Sequence, residues 1–155
     1  MHIALEHPNQ PELVALVQAL DAYQTVLYPP ESHHGIDMAA LAQPNVLFAV
    51  ARDAAGAAVG CGAVVLGPEF GELKRMYVAP QHRRGGVAQA LLALLEAQSV
   101  ERGCTLLMLE TGARQPEALA LYLRCGYVRC GPFADYTDDP HSVFMCKPLA
   151  GVRSP

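Results

Sequence analysis

Apolar positions along this chain follow two rhythms, and the rhythm changes at glycines and prolines. Residues 2–7 alternate and predict a first strand. Leu13, Leu16, Val17 and Leu20 then recur at helical spacing, and that helix runs towards Leu27 before Pro29 and Pro30 stop it. Residues 31–43 are polar and then weakly helical, with Ser32 or Asp37 as candidate caps. Residues 46–52 and 59–66 predict two strands joined through the turn Asp53-Ala-Ala-Gly56. A third strand covers 72–78 and ends before Pro80, which has no N–H to give a ladder.

Ala88, Leu91, Leu92 and Leu95 mark an amphipathic helix with Gly103 as its C-cap. Residues 105–110 are almost continuously apolar, the mark of a strand buried on both faces. Pro116 opens another helix, whose stripe is Ala118, Leu121, Tyr122 and Cys125 and which Gly126 ends. Strands at 127–131 and 142–147 complete a mixed α/β order. No repeat, low-complexity tract or linker divides the chain, so residues 1–155 read as one domain.

Composition narrows the classes. A chain of 155 residues, 52% hydrophobic and 17% charged, can bury a core and is no disordered tail. Its net charge is −4 and its lysines are only Lys74 and Lys147, so no basic face offers itself to nucleic acid or to an anionic membrane. No run of about 18 apolar residues exists, nor a charged leader followed by an apolar stretch. The five cysteines form no CxxC pair, and Cys61, Cys104 and Cys146 lie in apolar runs, as buried reduced thiols do. A cytoplasmic protein without a metal is expected. His33 and His34 are adjacent, point apart, and have no third ligand spaced to join them.

The most informative stretch is Val78-Ala-Pro-Gln-His-Arg-Arg-Gly-Gly-Val-Ala88, where a strand ends, a glycine turn follows and a long helix begins. Free N–H groups converge in the first turn of such a helix, and its dipole favours an anion. Gly85 and Gly86 let the backbone approach a phosphate, and Arg83 and Arg84 can add charge-assisted bonds. The pattern is neither GxxxxGK[ST] nor a GxGxxG after a first strand, which excludes the P-loop and Rossmann readings.

These residues resemble the pyrophosphate signature [Q/R]-x-x-G-x-[G/A] of the GNAT superfamily of acyl-CoA-dependent N-acetyltransferases, with Arg83-Arg-Gly-Gly86-Val-Ala88 in its place. Glu72-Leu-Lys-Arg-Met-Tyr-Val78-Ala-Pro80 resembles the preceding family strand. Pro116-Glu-Ala118-Leu-Ala-Leu-Tyr122-Leu-Arg-Cys-Gly126-Tyr127 resembles the closing segment, with Gln115 where Asn is common. The resemblance covers roughly residues 46–147. It implies a mostly antiparallel sheet of six or seven strands with about four helices, splayed at its central strands. It also implies acetyl-CoA as co-substrate, with pyrophosphate on Arg83, Arg84, Gly85, Gly86, Val87 and Ala88. Pantetheine would lie on the backbone of Met76, Tyr77 and Val78 and on Gln115 and Ala118. The Val78 amide would polarise the acetyl carbonyl.

Within that frame Tyr122 is the candidate general acid, a role set against that of a core tyrosine. Glu72 is the candidate base: period two places Glu72, Lys74, Met76 and Val78 on one strand face. Glu110, at the end of a buried strand, is its rival and a candidate substrate contact. The polar segment with Glu31, Ser32, His33 and Asp37 falls where the superfamily covers its acceptor. Tyr136 and the acidic residues 135–139 shape the far wall or form a charged loop. The expected reaction is direct attack of a small-molecule amine on acetyl-CoA. The alternatives are a non-catalytic acyl-CoA sensor, or acetylation of protein N-termini or lysines. Carboxylates suit a cationic amine, while Arg75 or Arg114 would suit an acidic group such as an amino-acid carboxylate. Exposed strand edges leave room for a homodimer.

Overall fold

The computed structural model describes residues 1–29 and 37–149. Its elements are β1 (His2–Leu5), α1 (Pro11–Leu27), α2 (Met38–Leu41), β2 (Val46–Arg52), β3 (Ala58–Leu66) and β4 (Gly71–Val78). These are followed by α3 (Val87–Glu101), β5 (Leu106–Gly112), α4 (Pro116–Arg124), β6 (Val128–Cys130) and β7 (Ser142–Pro148). Pro11 and Pro116 both stand at the start of a helix, where a missing N–H is no loss. The β2–β3 turn is held by Asp53 Oδ1, which accepts from the amides of Ala55 and Ala57.

All seven strands join one sheet in the order β1-β2-β3-β4-β5-β7-β6. Only β4–β5 is parallel, because α3 carries the chain across between them. Alternation along β2 and β3 sorts the core into two layers. Leu13, Leu16 and Val17 of α1 pack on Phe48, Val50, Cys61 and Ala63. Leu91, Leu92 and Leu95 of α3 pack on the opposite face, with Leu47, Ala49, Val64 and Leu73. Each layer removes apolar surface worth about 25 cal/mol per Å2.

The predicted mostly antiparallel sheet with four helices is therefore the fold, and three boundaries move. β1 ends at Leu5, two residues early, and β6 has three residues. β5 runs past Glu110 because Thr111 and Gly112 still pair with Val143 and Ser142 of β7. Among the cysteines Cys61 is buried, whereas Cys104 and Cys146 are half-buried; Cys104 sits in the α3–β5 turn and gives its S–H to Leu106 O.

Two departures from ideal pairing make the site. The parallel ladder of β4 with β5 covers only Gly71↔Leu107, Glu72↔Met108 and Leu73↔Leu109. Beyond Leu73 the strands run on to Val78 and Gly112 without pairing, and a cleft opens between them. On its other side β4 pairs Lys74 with Ala63 but Tyr77 with Cys61, so Arg75 and Met76 together oppose Gly62. This is a bulge, and Arg75 sits in it at φ 58°. The extra residue inverts the alternation. Glu72 and Lys74 share a face with Tyr77, while Val78 turns to the α3 side, so the expected common face of Glu72, Lys74, Met76 and Val78 does not exist.

Candidate active site

At the end of β4 the chain makes a single 3-10 turn over Pro80–His82 and then bends through Arg84 at φ 67° and Gly86 at φ 82° into α3. Gly86 occupies the N-cap, yet no side chain caps the helix and no acidic residue stands in its first turn. The orphan N–H groups of Val87, Ala88 and Gln89 are thus left for an outside acceptor, at the positive end of the helix dipole, while Ala90 N–H already bonds Gly86 O. An L side chain at residue 86 would be strained, and a Cβ there would meet no atom within 4 Å. The glycine is demanded by backbone conformation and not by crowding.

Arg83 and Arg84 diverge. The Arg84 guanidinium is exposed and makes a 3.4 Å contact with Glu117 at the start of α4. Arg83 folds back: its Nε donates to Val78 O at 2.8 Å and its guanidinium lies over the rings of Tyr23 and Tyr77. Ala79 gives its N–H to Val59 O, which makes Val78 and Gly60 a non-hydrogen-bonded pair. The Val78 carbonyl and amide therefore face away from β3, towards the side that β5 leaves open.

The cleft between β4 and β5 is a cavity of about 90 Å3. Its inner wall carries Leu73, Met76, Ala118 and Tyr122. Tyr122 is buried from α4 and packs edge-on against Tyr127, with ring centroids 5.7 Å apart. No hydrogen bond to its hydroxyl is found among the described residues, although the side chain lines the cavity. Burial raises its pKa, so the phenol keeps its proton at ordinary pH.

Glu72 and Glu110 enter the cavity from the two diverging strands. Glu72 accepts from the Tyr136 hydroxyl and lies 3.3 Å from Lys74 Nζ, which in turn donates to the Tyr136 oxygen at 3.0 Å. Burial, and then the bond to Glu72, raise the Tyr136 pKa. Glu110 accepts from the Ser142 hydroxyl at 2.7 Å. Gln24 of α1, Tyr28 at the C-cap of that helix and His141 before β7 close the far side.

Tyr28 is the tie that holds this roof down. Its hydroxyl donates to Gln115 Oε1 at 3.2 Å and accepts from the Arg114 amide at 3.1 Å. The hydroxyl lies where a Cβ on Gly112 would be, 1.7 Å from that position, so only glycine fits. Gln115 also takes the Gly112 amide with the same carbonyl oxygen, and no bond to its NH2 group is found among the described residues.

Of the residues singled out in the sequence, Met76, Ala118, Tyr122, Glu72, Glu110 and Gln115 meet at one cavity. Tyr77 does not line it; it packs on the α1 side beneath Arg83. Asp37 does not line it either. It caps α2 by accepting from the Ala40 amide at 2.8 Å. Glu31, Ser32 and His33 lie outside the described residues. Tyr28, Lys74 and His141 were not singled out. Their contacts span 87 residues for Tyr28 to Gln115 and 62 for Lys74 to Tyr136, and no local pattern encodes such pairs. Among the described residues no group of three His, Cys, Asp or Glu side chains is placed to hold a metal ion, and no helix is long and apolar enough to cross a membrane.

Known proteins are similar to this chain in sequence and fold. The profile of the Acetyltransferase (GNAT) family matches residues 13–127. The chain is 44% identical over 149 residues to an IAA acetyltransferase of Azospirillum brasilense, an alignment covering 95% of this chain and 97% of that protein. The structure of a Klebsiella pneumoniae protein described as an acyl-CoA N-acyltransferase superposes with a TM-score of 0.82 at 44% identity, over 96% of this chain and 97% of that one. An aminoglycoside 6'-N-acetyltransferase solved with coenzyme A shares the fold alone, with a TM-score of 0.74 at 18% identity over 99% of this chain and all of that one. With the family profile spanning the splayed strands, the α3 turn and α4, this chain belongs to the GNAT acetyltransferase family and is an acyl-CoA N-acyltransferase.

Proposed function

We propose that this chain moves the acetyl group of acetyl-CoA onto the amine of a small molecule by direct attack. The observation that carries the reading is the cavity at the β4–β5 divergence. The buried Tyr122 phenol lines it, and beyond its Met76 wall the Val78 amide turns away from β3. Its volume of about 90 Å3 suits a small acceptor. The uncapped α3 N-terminus fits the pyrophosphate, and the NH2 group of Gln115 fits a pantetheine carbonyl.

Bound acetyl-CoA supplies a thioester: a C–N bond forms to the amine, the C–S bond breaks, and the thiolate leaves with a proton. Val78 N–H stabilises the charge that develops on the carbonyl oxygen. Tyr122 gives the thiolate its proton, and burial keeps that proton in place until then. Glu72 takes the proton of the amine while Lys74 and Tyr136 fix its carboxylate. Glu110, oriented by Ser142, is the other carboxylate in reach of the same proton. No cysteine lines the cavity, in keeping with transfer that passes through no acyl-enzyme.

The test is calorimetry with acetyl-CoA, followed by thiol release with a panel of amines. Binding on the order of micromolar, and release that depends on an amine, are expected. Binding without release on any amine would leave a sensor domain. Release only on peptides would move the acceptor to protein.

A further inference from the structure

The acceptor side of the cavity holds charges of both signs. Glu72 and Glu110 line it, and so do Lys74 and Arg75. A polyamine would meet two cations there, and a plain anion two carboxylates. A molecule with an amine at one end and a carboxylate at the other can satisfy both, provided one cation is built to receive the carboxylate.

Arg75 is so built. A non-glycine residue at φ 58° is uncommon and costs about 1 kcal/mol or more, and such strain gathers at functional sites. The bulge that imposes it also puts Arg75 on the cavity wall. Among the described residues the Cys61 thiol donates to Arg75 O at 3.4 Å, and Asp21 of α1 meets the guanidinium at 2.5 Å. The pair is lopsided. Arg75's side chain is 8% exposed and Asp21's 55%, so the partner carboxylate stands in solvent where another can take its place. A guanidinium offers five donors in a planar fork, which fits a carboxylate two bonds at a time. Arg114, the other arginine at this end, binds Leu27 O and does not line the cavity. A tether between α1 and β4 would need neither the strained backbone nor a place on the cavity wall.

We propose that Arg75 anchors a carboxylate of the acceptor, and hence that the acceptor is an amine of the amino-acid type. The proposal rests on the small-molecule reading above and deepens it. The amine end then lies towards Glu72 and Glu110, beside the diverging strands where transfer takes place.

The experiment is thiol release by the full chain on the twenty amino acids, each beside its carboxamide and its decarboxylated amine. Wild type is expected to prefer the acid over its matched carboxamide by at least about tenfold in kcat/KM, the scale of a charge-assisted bond. Arg75→Gln should bring that ratio close to one by raising KM for the acid, and Arg75→Lys should restore part of it. Asp21→Asn, which removes the competing carboxylate, should lower KM for the acid. Equal or better turnover of the decarboxylated amines by wild type would overturn the proposal and leave the enzyme reading intact. So would an Arg75→Gln variant that slows acid and carboxamide alike, as loss of a mere tether would. That comparison within wild type holds even if Arg75→Gln fails to fold. Release on no amine at all would overturn the small-molecule reading itself.

Discussion

At the start of α3 the groups offered to a ligand are main-chain N–H groups, set by two positive-φ residues, Arg84 and Gly86. At the far end of the cleft they are side chains drawn from α1, β4, β5 and the loop before β7. The first end is contiguous in sequence and answers to one demand, a backbone that can approach a phosphate. The second is assembled from residues as far apart as Gln24 and His141 and answers to the particular acceptor. A backbone site is robust to most substitutions near it but fails at its glycine. A side-chain site can lose one member at a time. The two ends should therefore break differently.

The largest effect is expected where the ends meet. Tyr122→Phe should lower kcat by about 10²- to 10⁴-fold, the range for a lost general acid. It should hardly change acetyl-CoA affinity or the melting temperature, because the hydroxyl has no protein partner among the described residues and the ring contact with Tyr127 remains. A kcat within twofold of wild type would remove Tyr122 from the chemistry.

Gly86→Glu comes next and tests the backbone end. A side chain at φ 82° costs about 1–2 kcal/mol, and the new carboxylate would sit against the pyrophosphate. Together these should weaken acetyl-CoA binding by about 100-fold in calorimetry. Gly86→Asn should cost far less, since Asn tolerates the left-handed region. Equal losses in the two variants would show that charge is irrelevant there.

Tyr136→Phe tests the side-chain end. It removes the donor to Glu72, a charge-assisted bond worth roughly 1.5–3 kcal/mol. Acceptor kcat/KM should fall about tenfold with acetyl-CoA affinity intact. A parallel fall in acetyl-CoA affinity would mean that the two ends are not separable.

The same contrast explains what could be read from the sequence. Arg83-Arg-Gly-Gly86 and the helix behind it announce the backbone end, because glycine pairs and helix starts leave local marks. Pro116 was legible as a helix start, and Ala118 and Tyr122 as its stripe, for the same reason. The bulge at Arg75 was not. Residues 72–78 read as an unbroken strand, and nothing in Lys-Arg-Met signals a residue at φ 58°, so counting by twos placed Val78 on the wrong face. Tyr28 was invisible as a site residue, and Tyr136 was legible as a wall but not as the partner of Glu72 and Lys74, because those contacts exist only after the sheet has brought distant segments together. Asp37 was read both as a helix cap and as an acceptor contact, and it is the cap that the structure shows, the commonest use of an aspartate before a helix.

The smallest predicted effect concerns Cys61, where the bulge meets the core. Its thiol is buried opposite Tyr77 and donates to Arg75 O, and burial pushes its pKa from 9.0 up to about 12. The folded state thus holds a proton that the unfolded chain releases above about pH 9. Stability tied to this thiol is present below that pH and is lost as pH rises from about 9 to 12, at up to about 1.4 kcal/mol per pH unit. Cys61→Ala removes the thiol and with it this alkaline loss. At pH 7 the variant should be less stable in urea, because it leaves a small void and removes the thiol's bond to Arg75 O. By pH 10 the gap to wild type should narrow by about 1 kcal/mol. A gap that stays constant from pH 7 to 10 would mean that the thiol titrates normally and is not sealed beneath the bulge. Acetyl-CoA affinity should not move at either pH, because α3 and its turn are untouched. A change in acceptor KM would place the bulge with the side-chain end of the cleft, which is where the strain at Arg75 puts it.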